Sequence, residues 1–219
     1  MPDESASRTK SPTSSQTDQQ EVSLEVMLQR VRAMREKDRP ARGKSKYPGL
    51  QGIKPRNFRW IIKGQLAGSE RPGGATKRHR RVRRDEELIW IAESEIAEIL
   101  SLLPSTLNMK AYADFGIPAR NIPVTSFGEL RAKLPEIYQA IDEARRAGRP
   151  LLVHMDEFSD SLAGLLAGYL IHAGLVRTPQ EATILMERIV QRPLGPDAKI
   201  ITRDAALLET RPQKGRSSA

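Results

Sequence analysis

Apolar residues along the 219-residue chain fall into short blocks whose spacing switches between two periods. Period-two or continuous apolar runs predict strands at 59–63 and 65–69, parted by Gly64, at 96–103 up to Pro104, at 119–124, and at 151–154. Between them, three- and four-residue spacing predicts helices. One runs from the acidic triplet Asp85-Glu86-Glu87 to about Glu95, with its acids at the positive helix end. Others cover 107–115, 127–147 with Pro135 inside and Gly148 as the stop, 162–173, 179–192 and roughly 203–210. Within 162–173, the small residues Ala163, Gly164, Ala167 and Gly168 predict close approach to the sheet. Alternating strand and helix predicts an α/β fold: a central, mostly parallel sheet with helices on both faces.

Outside this block the pattern changes. Residues 1–21 are Ser-, Thr- and Gln-rich with almost nothing apolar, so disorder is expected there. Leu24, Met27, Leu28, Val31 and Met34 recur at helical spacing and predict an amphipathic helix over 22–38. Residues 39–54 read as a basic linker, 55–210 as the folded domain and 211–219 as a disordered tail. No apolar run approaches the roughly 20 residues that cross a bilayer. The polar, acidic start predicts no secretory signal, and the absence of Cys excludes disulfides and suits a cytoplasmic setting.

Charge sharpens that division. The net charge of +9 is unevenly spread: residues 30–84 hold nineteen Lys or Arg against Glu36, Asp38 and Glu70. The remainder of the domain is mildly acidic. Lys77, Arg78, Arg80, Arg81, Arg83 and Arg84 crowd into eight positions, in what the pattern reads as a loop after Pro72-Gly73-Gly74. Such a cluster suits nucleic acid or another acidic surface, and neutralising about six phosphates would bind strongly without reading sequence. No aromatic is interleaved with it; Trp60 and Trp90 lie in apolar patterns and read as core. The 22–38 helix suits a protein partner, with an anionic membrane surface as the alternative.

The segment 151–161 carries the candidate chemistry: a buried strand ending in His154, seven further residues, then a helix rich in small side chains. Upstream stand a Pro-x-Asn-Phe phrase (Pro55, Asn57, Phe58) and a Ser-x-Arg-Pro phrase (Ser69, Arg71, Pro72). The stretch 144–154 gives a helix end, a Gly turn and a strand. Together these pieces resemble the cysteine-dependent dual-specificity and protein tyrosine phosphatases, in their bacterial dual-specificity-like branch, over about 55–206. In that family a Cys follows the His, an Arg closes the loop six positions later, and an Asp on a preceding loop is the general acid. Here the corresponding positions hold Met155, Ser161 and Ser126, or Thr125 if the alignment slips by one.

The resemblance therefore implies the fold without its chemistry. A thioether has no proton to lose and cannot become the thiolate nucleophile. A Ser hydroxyl is too short to replace the bidentate guanidinium fork on phosphate. Neither Ser nor Thr can protonate a leaving oxygen, a step worth about a hundred- to ten-thousand-fold. The former loop, His154 to Ser161 with Asp156, Glu157, Phe158, Ser159 and Asp160, also lacks the glycines that turn amides towards an anion. Its three carboxylates would repel phosphate.

The nearest simple role for Ser159, Asp160 or Ser161 is capping the following helix. His154, Asp156, Glu157 and Asp160 have the donor types of metal ligands, but their spacing fits no metal signature, so no metal or cofactor is expected. His154 reads as a buried structural His bonded to backbone. The expectation is a catalytically inactive, pseudophosphatase-like binding or regulatory module, its partner a protein taken by 22–38 or by the degenerate pocket; the alternative is a phosphatase homologue with residual or repurposed activity.

Overall fold

The structure is a computed structural model that describes residues 49–208. The predicted arm at 22–38, the segment 1–21, most of the 39–54 linker and the tail at 211–219 lie outside the described residues. Five strands form one sheet in the order β1-β2-β5-β3-β4. β1 (Arg59–Ile62) runs antiparallel to β2 (Leu66–Glu70) across a turn at Gly64, whose φ of +68° favours glycine. β3 (Glu98–Ser101), β4 (Ala119–Asn121) and β5 (Leu151–Met155) continue it in parallel. The sheet is thus mixed and mostly parallel, as the strand–helix alternation predicts.

β5 sits in the middle, with Leu66–Glu70 in register on one side and Glu98–Ser101 on the other. Covered on both faces, it can be apolar at successive positions. The two faces still sort by period two: Leu66, Leu100, Leu151 and Val153 join one core cluster, whereas Ala67, Ile99 and Leu152 join the other. The first and larger cluster lies under α3 (Phe127–Ala132), α4 (Leu134–Arg146), α5 (Asp160–His172), α6 (Pro179–Val190) and α7 (Pro196–Ala206). The second lies under α1 (Arg81–Glu93) and α2 (Met109–Asp114).

Trp60 and Trp90 are half-buried against that second cluster, and both rings meet Phe58 edge-on. No helix among the described residues is long and apolar enough to cross a membrane.

Four sequence expectations are corrected. The basic stretch is no plain loop: a 3₁₀ turn spans Thr76–Arg78 and α1 begins at Arg81, four residues before the acidic triplet. Arg83 pairs with Glu87 one turn on, so the basic residues extend the helix. The predicted 127–147 helix is two helices, broken at Lys133 so that Pro135 falls in the first turn of α4, where its missing N–H costs nothing. The last helix is Pro196–Ala206, placed by another Pro at its start and ending four residues before the expected limit. Finally, Gly164 and Gly168 face α7, not the sheet. A Cβ on Gly164 would stand 2.6 Å from the Cα of Ala198, and one on Gly168 2.5 Å from the Cβ of Ala205. Leu166 is the residue that reaches the sheet, over Gly68.

Candidate functional site

The parallel strands β2, β5 and β3 all end at one edge of the sheet, where open α/β sheets place their ligand sites. β5 delivers His154 and Met155 there. His154 is fully buried; its Nδ1 lies 3.3 Å from the Met155 carbonyl and its Nε2 2.9 Å from the Tyr112 hydroxyl of α2. Because a carbonyl can only accept, the proton belongs on Nδ1, and the tyrosine then donates to Nε2. Burial, aided by the Arg71 charge, pushes the His154 pKa down to about 4. It is therefore a neutral structural group bonded to backbone, as the sequence suggests, with a tyrosine partner that the sequence does not announce. Met155 is half-buried and turned onto the larger core cluster.

The three loop acids are turned outward, each onto its own partners. The Asp156 carboxylate accepts from the Thr76 amide at 3.0 Å and the Thr76 hydroxyl at 3.0 Å, and lies 3.5 Å from the Arg71 guanidinium. Glu157 meets Arg78 at 3.4 Å on an exposed surface. Asp160 accepts from Arg192 at 2.5 Å and from the Gly195 amide at 2.7 Å. Ser159 is the helix cap, its hydroxyl accepting from the Leu162 amide, so Asp160 and Ser161 fall in the first turn of α5. Phe158 closes the loop from below: a Cβ on Gly68 would meet its ring at 2.9 Å. Among the described residues no three His, Cys, Asp or Glu side chains are grouped to share a metal ion.

Arg71 is the site residue that sequence reading missed. It is buried at the end of β2, with Asn108 at 3.4 Å, Asp156 at 3.5 Å and an Nε that has no partner among the described residues. A guanidinium so enclosed and so loosely satisfied is unusual. Its signal in the sequence is the Ser-x-Arg-Pro phrase, where the Pro gives away a chain reversal at the strand end. Next to it, His79 is also held below its ordinary pKa by burial and by Arg71 and Arg84.

Ser126, which the resemblance aligns with the general acid, is a helix cap. Its Oγ accepts from the Glu129 amide at 3.1 Å, while Glu129 reaches back to the Thr125 amide at 2.7 Å and the Thr125 hydroxyl. The pattern is repeated at α6, where Thr178 caps Glu181 and Glu181 bonds the Arg177 amide. Bonds from Lys133 and Thr125 hold the Glu129 carboxyl down at about 2. Either alignment thus puts a residue of this cap at the acid position.

The basic cluster is only partly available to a ligand. Arg78 is paired to Glu157, Arg83 to Glu87 and Arg84 to Asp85. Lys77, Arg80 and Arg81 are exposed and make no ion pair among the described residues.

No protein-family model matches this chain, and no curated protein sequence does. Solved structures do, and they define the class: the fold is that of the tyrosine and dual-specificity phosphatases. The kinase associated phosphatase, with its catalytic-site cysteine substituted by serine, superposes with a TM-score of 0.55 at 15% identity, over 71% of this chain and 98% of that one. A variant of human DUSP28 gives 0.51 at 17% identity, over 70% and 95%. The active form of Tk-PTP gives 0.50 at 18%, over 68% and 95%. At such identities the likeness is one of fold.

Proposed function

We propose that this chain is a catalytically inactive phosphatase-like protein that works as a binding or regulatory module in the cytoplasm. The observation that carries the reading is the content of the loop that follows the central strand. Met155 and Ser161 stand where the resemblance puts the nucleophile and the closing Arg, and Ser126 or Thr125 stands where it puts the acid. None of these groups can perform the step assigned to its position. The partners of Asp156, Glu157 and Asp160 support the same reading, since the loop's polar groups are spent on holding neighbouring segments.

Hydrolysis of an aryl phosphate tests it. The unmodified chain should give no turnover above a heat-inactivated blank, and Met155→Cys with Ser161→Arg provides the comparison. Turnover by the unmodified chain, or a phosphoryl adduct on it, overturns the reading.

A second reading, attachment to nucleic acid or another polyanion, is favoured by the exposure of Lys77, Arg80 and Arg81 alone. It makes the phosphatase-like domain a scaffold. The pairing of Arg78, Arg83 and Arg84 reduces the free cations of this surface and so its salt dependence.

A further inference from the structure

Beside the loop, Asn57, Arg59, Phe158, Val190 and Arg192 line a cavity of about 290 Å³. That is close to the lower limit of small-molecule sites, roughly 300 Å³. It shares only Phe158 with the former catalytic loop and uses neither Met155, Ser161 nor Ser126. Its lining residues are two arginines, an asparagine, a phenylalanine and a valine.

One of the two arginines is paired to a carboxylate, Arg192 to Asp160, and the other is not. Arg59, on β1, donates to the Phe58 carbonyl at 3.0 Å and has no carboxylate partner among the described residues. Arg192 spends Nη1 on Asp160 and on the Pro193 carbonyl at 3.1 Å, with no further side-chain bond among the described residues. Phe158 is packed against the larger core cluster, and so is Val190, which gives the cavity a fixed apolar wall.

The backbone around it is also held in an uncommon conformation. Three non-glycine residues among those described have positive φ, and two belong here: Asn57 at +54° lines the cavity, and Gln191 at +59° ends α6 and turns the chain into Arg192. Such conformations cost energy and persist where the surrounding structure fixes them.

We propose that this cavity binds a compact organic oxyanion on an apolar stem, a carboxylate or a phosphate monoester. Arg59 and Arg192 take the charge, and Phe158 and Val190 take the stem. Guanidinium forks match both oxyanions. Asp160 is the internal competitor, because its carboxylate accepts from Arg192. The inference stands apart from the catalytic reading, since none of its residues would perform the hydrolysis.

Titration of the full chain with phenyl phosphate and with phenylacetate, followed by amide NMR, tests it, with 2-phenylethanol as the neutral control. Both anions should shift Arg59, Phe158 and Arg192 saturably, and the alcohol should not; the relative affinity of the two anions tells phosphate from carboxylate as the preferred head. Arg59→Gln should weaken binding about tenfold, Arg59→Lys less, and Arg78→Gln not at all. Asp160→Asn keeps an acceptor for the Gly195 amide but releases Arg192, so it should tighten binding about threefold. Shifts that never saturate, that centre on Lys77 and Arg80, or that the alcohol reproduces would overturn the proposal. So would unchanged affinity in a folded Arg59→Gln or Arg59→Lys variant.

Discussion

At the scale of single residues, the buried pair of Tyr112 and His154 ties stability to pH. The folded state keeps His154 neutral down to about pH 4, whereas an unfolded His binds its proton near 6.5. Between those values the unfolded chain holds the extra proton, so folding free energy is complete above about 6.5 and is lost as pH falls towards 4. The loss should approach about 3 kcal/mol. Urea midpoints measured across that range should fall, and His154→Gln should flatten the slope. His79, also lowered by burial, adds to the same loss, while Glu129 and Glu143, held below their usual pKa, add only towards its acid end.

Asp156 is the second such residue. Asp156→Ala leaves the enclosed Arg71 with Asn108 as its side-chain partner, at a cost of about 1–3 kcal/mol in chemical denaturation. Asp156→Asn keeps an acceptor for Thr76 and should cost less; equal losses would mean that Arg71 draws nothing from the carboxylate charge. Which side chains stand at Met155, Ser161 and Ser126 is legible from the sequence alone, whereas their assignment to catalytic positions rests on the resemblance. The burial of Arg71 is not legible there, since an Arg at a strand end reads as solvated until the fold buries it.

Among the elements, α5 is buried over Leu162–Ile171 on every side, and its glycines are clearance for α7. Gly164→Ala should therefore drive a methyl into the backbone of Ala198 and destabilise by about 1–3 kcal/mol, seen as a lower thermal midpoint. An unchanged midpoint would show that α7 can slide away. The sequence predicts an α5 of small residues against a flat surface, and small residues do mark a close approach. It cannot say which neighbour approaches, because that depends on crossovers remote in sequence. Strand placements were legible from periodicity. Helix limits failed where Pro sits: the pattern reads Pro135 as lying inside one long helix and carries no reading of Pro196, yet each stands in the first turn of a helix. The basic cluster misled for a related reason, as Arg83 and Arg84 carry helix-forming propensity that a run of charge conceals.

For the molecule as a whole, pairing within the domain decides how a polyanion would be held. With Arg78, Arg83 and Arg84 engaged by Glu157, Glu87 and Asp85, about three free cations remain in place of the six suggested by composition. Any binding of duplex DNA through this surface should then show a slope of log K against log salt near −3. A slope near −6 would require those ion pairs to open. Deleting a helix start to test this would disturb the fold, so Lys77→Gln, Arg80→Gln and Arg81→Gln together are the cleaner variant. They should abolish the salt-sensitive part, and no change would place the contact elsewhere.

The ring of Phe158 lying over Gly68 limits how the loop can be reshaped. A Cβ at position 68 would meet Leu166 at 2.7 Å and the Phe158 ring at 2.9 Å, so a larger residue there needs both side chains to shift. Grafting a glycine-rich phosphate-binding turn in place of 155–161 would remove the aromatic plug and open a void at the sheet edge. The loss would be about 3 kcal/mol. On the proposed reading, a thiol placed at position 155 would still sit in a loop whose Phe158 packs over Gly68, so reshaping that loop means repacking the strand edge as well.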